Sequence, residues 1–98
     1  MRRGAITRQS VLKALAEHEE VGRDAFLAKY GFGKARSYVL VHEGREYDSK
    51  AIAGVAHRWS QGRALTSDEF SGGRAGAAAW LQRVGFQVNA MTRDGAKT

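Results

Sequence analysis

Apolar positions recur at helical spacing in four places along the chain and form strand-like runs in two others. Val11, Leu12 and Leu15, with Ala14 and Ala16 beside them, predict a first helix from a cap at Thr7 or Ser10 to about Glu19. Its acidic end, Glu17, Glu19 and Glu20, opposes the helix dipole and reads as a solvated turn that does not face DNA. Phe26, Leu27 and Tyr30 predict a short second helix from Asp24 to Tyr30, ended by a left-handed Gly31. Ile52, Val55, Ala56 and Trp59 lie at i, i+3, i+4, i+7 and predict a third helix over about Ser49 to Ser60. Ala77, Trp80, Leu81 and Val84 repeat that spacing, so a last helix is expected from Gly72 or Gly73 to Val84.

Strand character concentrates in Tyr38-Val39-Leu40-Val41. A turn at His42-Glu43-Gly44 and a return over Arg45-Glu46-Tyr47 predict a β-hairpin, and Phe86-Gln87-Val88 alternates as a third strand able to join it. Thr66-Ser67-Asp68-Glu69 fits a capping box, with Phe70 turned inward. The expected fold class is α+β, about four helices packed on a small antiparallel sheet of about three strands. Residues 1–90 form one domain with a short arm over Met1 to Ile6, and 91–98 a polar, basic tail or linker to a following domain. Trp59, Trp80, Phe70 and Phe86 are assigned to the core, whereas Tyr38 and Tyr47 can also stand on the outer face of the hairpin.

At Gly44 to Ala56 a strand, a cap and an apolar helix face follow one another. Asp48 is placed to cap the third helix, and Ser49 and Lys50 lie in its first turn, where a hydroxyl and a cation suit a phosphate. A plain strand-to-helix turn with a solvated lysine explains the same spacing.

Charge narrows the choice of partner. Sixteen Lys and Arg against ten Asp and Glu leave a formal charge of +6 and a pI near 10.2, a nucleic-acid footprint that is also compatible with acidic lipid. The candidate contacts are Lys34, Arg36, Ser37 and Tyr38 in and after the basic loop, Arg45 and Tyr47 in the hairpin, Ser49 and Lys50 at the helix start, and Ser71, Gly72, Gly73 and Arg74 at a glycine-rich approach. Double-stranded DNA is the expected partner, and a homodimer is possible through the Ala53/Gly54 region and the small-residue face of the last helix, Ala75, Gly76, Ala78 and Ala79.

Other classes are disfavoured. With no cysteine and no paired histidine motif among His18, His42 and His57, neither a metal site nor a cofactor is expected. Asp48-Ser49-Lys50 has the acid-x-lysine spacing of nuclease sites, but Glu43 and Glu46 have no settled arrangement to complete one, so no catalytic residue is assigned. There is no phosphate-binding loop signature, signal peptide or membrane-length apolar run, and the lack of cysteine suits a reducing cytoplasm.

Several segments carry a family resemblance: Tyr30-Gly31-Phe32-Gly33, Ser37-Tyr38-Val39-Leu40, Gly44 through Ala56 with Tyr-Asp-Ser-Lys-Ala-Ile at its centre, Phe70-Ser71-Gly72-Gly73, and Leu81 through Val88. In this order and separation, over about Gln9 to Val88, the chain resembles the N-terminal head domain of McrA-like HNH endonucleases of the bacterial modification-dependent (type IV) restriction systems. The resemblance implies a module that binds DNA without cutting it, the nuclease being a separate HNH domain. This chain has no HNH signature, and its single asparagine is Asn89. It further implies a contribution to reading modified, 5-methylcytosine-bearing DNA, and the hairpin, where Tyr38 and Tyr47 stand next to Arg36 and Arg45, offers arginines for guanine beside aromatic side chains for a methyl group. The alternative is a protein-interaction or dimerisation module that orients the nuclease.

Overall fold

The computed structural model describes residues 6–35, 37–71 and 76–91. The elements run α1 (Arg8–Val21), α2 (Arg23–Tyr30), β1 (Tyr38–His42), β2 (Arg45–Asp48), α3 (Ser49–Gln61), α4 (Ala77–Arg83) and β3 (Gln87–Ala90). Four helices pack on a three-stranded antiparallel sheet of order β2-β1-β3, the expected α+β arrangement.

Thr7 caps α1. Its Oγ1 accepts from the Ser10 amide at 3.0 Å, and Ser10 Oγ accepts from the Thr7 amide at 2.9 Å, a reciprocal box with serine in the usual glutamate place. The buried face of α1 is Val11, Ala14, Leu15 and His18, one helical stripe. Leu12, expected in that stripe, stands 38% exposed, and Ile6, expected at the end of a short arm, is buried. α2 ends in a Schellman motif: Gly31 takes φ 76°, and the Phe32 amide reaches back to the Leu27 carbonyl at 2.9 Å. That turn directs Phe32 back into the core.

α3 is the hub. Ala51, Ile52, Ala53, Val55 and Ala56 are all at most 1% exposed, and the helix packs against α1, α2, α4, β1 and β2. A helix apolar on nearly every side belongs inside a domain, and its small residues let the neighbours approach. Trp59 departs from expectation. It lies in the last turns of α3, beyond the reach of the core, and is 42% exposed with Lys13 and Arg58 over its ring at 5.4 and 4.8 Å. Phe70, Trp80 and Phe86 do pack inward, Phe70 stacking on Trp80 at 5.1 Å.

The sheet register pairs Leu40 with Tyr47 on one side and with Val88 on the other. Tyr47 therefore shares the inner face with Leu40 and is only 5% exposed. Thr66 to Glu69 makes half of the expected capping box, the Glu69 carboxylate accepting from the Thr66 amide at 2.8 Å, but a turn follows instead of a helix. The expected start of the last helix at Gly72 or Gly73 lies outside the described residues. α4 is seen from Ala77, whose amide donates to the Ser71 carbonyl at 2.8 Å.

Candidate nucleic-acid interface

The loop after α2, the start of β1, the start of α3 and the turn near Ser67 enclose a cavity of about 400 Å³. Phe32, Gly33, Lys34, Ala35, Ser37 and Tyr38 line one side, and Asp48, Ser49, Lys50 and Ser67 the other. One buried carboxylate holds these parts together. Asp48 accepts from Arg23 Nε at 2.8 Å, from Arg23 Nη2 at 2.7 Å and from the Ala35 amide at 2.7 Å. The first two form a bidentate fork to α2, and the third fixes the loop.

This corrects the expectation that the Asp48 side chain caps α3. The residue occupies the N-cap position, but its carboxylate makes no capping bond. Burial works to raise the Asp48 carboxyl, and the Arg23 fork and the Ala35 amide outweigh it and hold it below the usual carboxylate range. Arg23 carries no local sequence signal for this role. It lies 25 residues before its partner, and only the folded chain brings the two together.

The candidate contacts divide. Lys34 and Ser37 are exposed and Tyr38 is half-buried at the cavity wall. Among the described residues Lys34 has no ion-pair partner. Lys50 also lines the cavity, with its ammonium donating to the Ser67 carbonyl and 5.2 Å from the Phe70 ring centroid. Ser49 is 2% exposed and its hydroxyl donates to the Tyr38 carbonyl at 2.9 Å, so it ties α3 to β1. Ser71 is exposed, some distance along the chain from the rest. Arg36, Gly72, Gly73 and Arg74 lie outside the described residues.

The hairpin residues named as readers divide: Tyr38 is half-buried at the cavity wall, Arg36 lies outside the described residues, and Tyr47 and Arg45 both meet α1. The Tyr47 ring packs inside against His18 at 4.8 Å, and its hydroxyl donates to Glu19 at 2.8 Å. Arg45 is itself ion-paired with Glu19. The acidic end of α1 is likewise no solvated turn. Glu17 accepts from Lys29 at 2.8 Å and from the Tyr30 hydroxyl, and together with Glu19 it clasps α2 and β2 to α1. Of the small residues offered for a dimer, Ala79 is half-buried and Ala75 lies outside the described residues, while the others pack within the domain. Ala53 and Ala78 are buried, and Gly54 lies against Phe32.

His18 completes the buried polar set. It is 8% exposed between Phe26 and Tyr47, and its Nε2 has no hydrogen-bond partner among the described residues. Burial lowers its tendency to protonate below the ordinary value of 6.5. The unfolded chain takes that proton near 6.5 and the folded chain only below it, so stability is intact above 6.5 and falls as pH drops through and beneath it. Asp48, held below its ordinary 3.8, adds a second loss only once pH passes beneath 3.8. Denaturant midpoints measured against pH should fall in two stages, an upper one from His18 and a lower one that Asp48 shares with Glu17 and Glu69, whose carboxyls the fold also holds below their ordinary 4.5. His18→Gln should flatten the upper stage and leave the lower one; an unchanged upper stage would assign it to another group.

Among the described residues no group of three or more His, Asp or Glu is placed to hold a metal ion, and no helix is long and apolar enough to cross a membrane. No curated protein matches the chain. The structure of the type IV phosphorothioation-dependent restriction endonuclease ScoMcrA superposes on it with a TM-score of 0.66 and 44% sequence identity, over 90% of this chain. The chain spans 13% of the length of that protein. The family model of the ScoMcrA-like N-terminal head domain matches residues 4–90. With the model matching across nearly its whole length, the chain belongs to the ScoMcrA-like N-terminal head domain family.

Proposed function

We propose that this domain binds double-stranded DNA as the non-cutting front module of a modification-dependent restriction endonuclease. The observation that carries the reading is the cavity beside α3, lined by Lys34 and Lys50 on a chain of formal charge +6. Neither lysine is neutralised by a carboxylate among the described residues. Asp48, the acidic residue in the wall, is itself neutralised by Arg23. The net field there favours phosphate, and such contacts position the duplex without reading its sequence.

Neutralising about four phosphates gives a slope of log affinity against log salt of roughly −3 to −4. Lys34→Ala should weaken binding to every duplex alike and make the slope shallower by about 1. Anisotropy titrations at several salt concentrations measure both, and a slope near zero for the unaltered domain would remove the electrostatic reading. Lys50→Ala should weaken binding as well, with a small cost in stability because the ammonium also holds the Ser67 carbonyl.

The module contributes a modest share of modified-DNA selectivity. Burying one methyl group is worth about 0.8 kcal/mol, so two symmetric methyls, one read by each of a pair of subunits, give on the order of a tenfold preference for cytosine-methylated duplex. With Tyr47 buried and Arg45 engaged, the support for this contribution rests on the cavity and not on the hairpin. The matched endonuclease is phosphorothioation-dependent, so the comparison set is plain, cytosine-methylated and phosphorothioated duplexes of the same sequences. Equal affinity across all three leaves a general DNA-binding module.

The exposed Trp59 favours a second reading, a protein-interaction surface that orients a separate HNH nuclease domain. A concentration-dependent dimer that ignores DNA and is lost in Trp59→Ala would establish it over the first.

A further inference from the structure

We propose that the cavity beside α3 receives a single nucleotide extruded from the duplex. The inference rests on the DNA-binding reading and makes it more specific. Phosphate contacts alone need only a charged surface, whereas this site is a recess of about 400 Å³, within the range of about 300–1,000 Å³ typical of small-ligand pockets. A paired base inside an intact stack cannot enter a recess of that kind; a nucleotide rotated out of the duplex can.

The lining has the chemistry such a guest requires. Half-buried Tyr38 supplies aromatic surface at the cavity wall, with the buried Phe32 ring behind the lining, and every base has a face that stacks on an aromatic ring. Lys34 and Lys50 supply cations for the phosphate that travels with the base. Ser37 and Ser67 supply hydroxyls for a base edge. The cavity is also held in shape before any ligand arrives. Asp48 fixes the loop through the Ala35 amide, Ser49 fixes the start of β1 through the Tyr38 carbonyl, and Phe32 is only 7% exposed. A preformed site avoids part of the ordering cost of binding.

The test uses the full chain and duplexes carrying 2-aminopurine, whose emission rises when it leaves the stack, placed in turn at each position of a short duplex at low salt. Binding should raise the emission several-fold at one or more positions. Duplexes with a single mismatch should bind about tenfold or more tightly than fully paired ones, because an unpaired base is cheaper to extrude. Ser37→Trp, which puts an indole at the cavity wall from an exposed position, should abolish the emission change and the mismatch preference. The mismatch comparison on the unaltered chain needs no variant and stands even where Ser37→Trp fails to fold. Duplex binding with no emission change at any position and no mismatch preference overturns the extrusion while leaving DNA binding intact. No binding to any duplex at low salt overturns both.

Discussion

Asp48→Ala is expected to lower the thermal midpoint by about 10–20 °C. The change removes three charge-assisted hydrogen bonds at once and leaves the Ala35 amide without its acceptor. An orphaned buried donor costs about 1–3 kcal/mol, and hydrogen bonds to a charged group about 1.5–3 each. The stranded partner limits the damage. Arg23 is 47% exposed, so its guanidinium regains water and the penalty of an isolated buried charge does not apply in full. A net loss of about 2–3 kcal/mol follows, and each kcal/mol is worth about 4–8 °C in a domain of this size. Loss of a helix cap alone would cost about 1 kcal/mol. Calorimetry therefore separates the roles: a drop of only about 5 °C would return Asp48 to the capping role. Asp48→Ala should also weaken DNA binding beyond its effect on stability, because the loop that carries Lys34 and Ser37 loses its tether.

Gly54→Ala is expected to cost about 1–3 kcal/mol, although alanine is ordinarily the better helix former. A Cβ at this position would sit 2.5 Å from Phe32 Cζ and 3.2 Å from the Leu65 carbonyl oxygen. The Phe32 ring cannot retreat freely, since it is buried and lies edge-on to Phe70 with centroids 6.1 Å apart. The Leu65 carbonyl is backbone, and the Leu65 amide is bonded to the Gly54 carbonyl at 3.0 Å, so two neighbouring segments would have to move together. Phe32 also forms a wall of the cavity, so the same substitution should disturb the candidate site. Gly33→Ala is the control. Nothing lies within 4 Å of a Cβ there, and its midpoint in urea should stay within about 0.5 kcal/mol of the unaltered domain. Equal midpoints for Gly54→Ala and the unaltered domain would show that the ring yields without cost.

Local sequence determined the elements of this protein. The helical stripes over Val11 to Leu15, Ile52 to Ala56 and Ala77 to Leu81, the strand at Tyr38 to Val41 and the left-handed stop at Gly31 all follow from spacing, branching and backbone freedom within a few residues. The family too was legible there, since ordered short motifs survive in sequence whatever their packing. Tertiary structure alone decided which polar groups meet. Asp48 beside a helix start reads as a cap until Arg23 and the Ala35 amide arrive from other segments and take both of its oxygens. The place of Tyr47, open in the sequence, and that of Trp59, expected in the core, were decided in the same way. Strand register turns Tyr47 toward Leu40, while the length of α3 carries Trp59 past the edge of the core. The engagement of the cations was equally invisible, because Arg45 and Lys34 read alike as cations on surface segments until Glu19 pairs with Arg45, while Lys34 has no carboxylate partner among the described residues. Helix and strand periodicity are set by neighbours in the chain, whereas ion pairing and burial are set by neighbours in space, and only the folded chain specifies those.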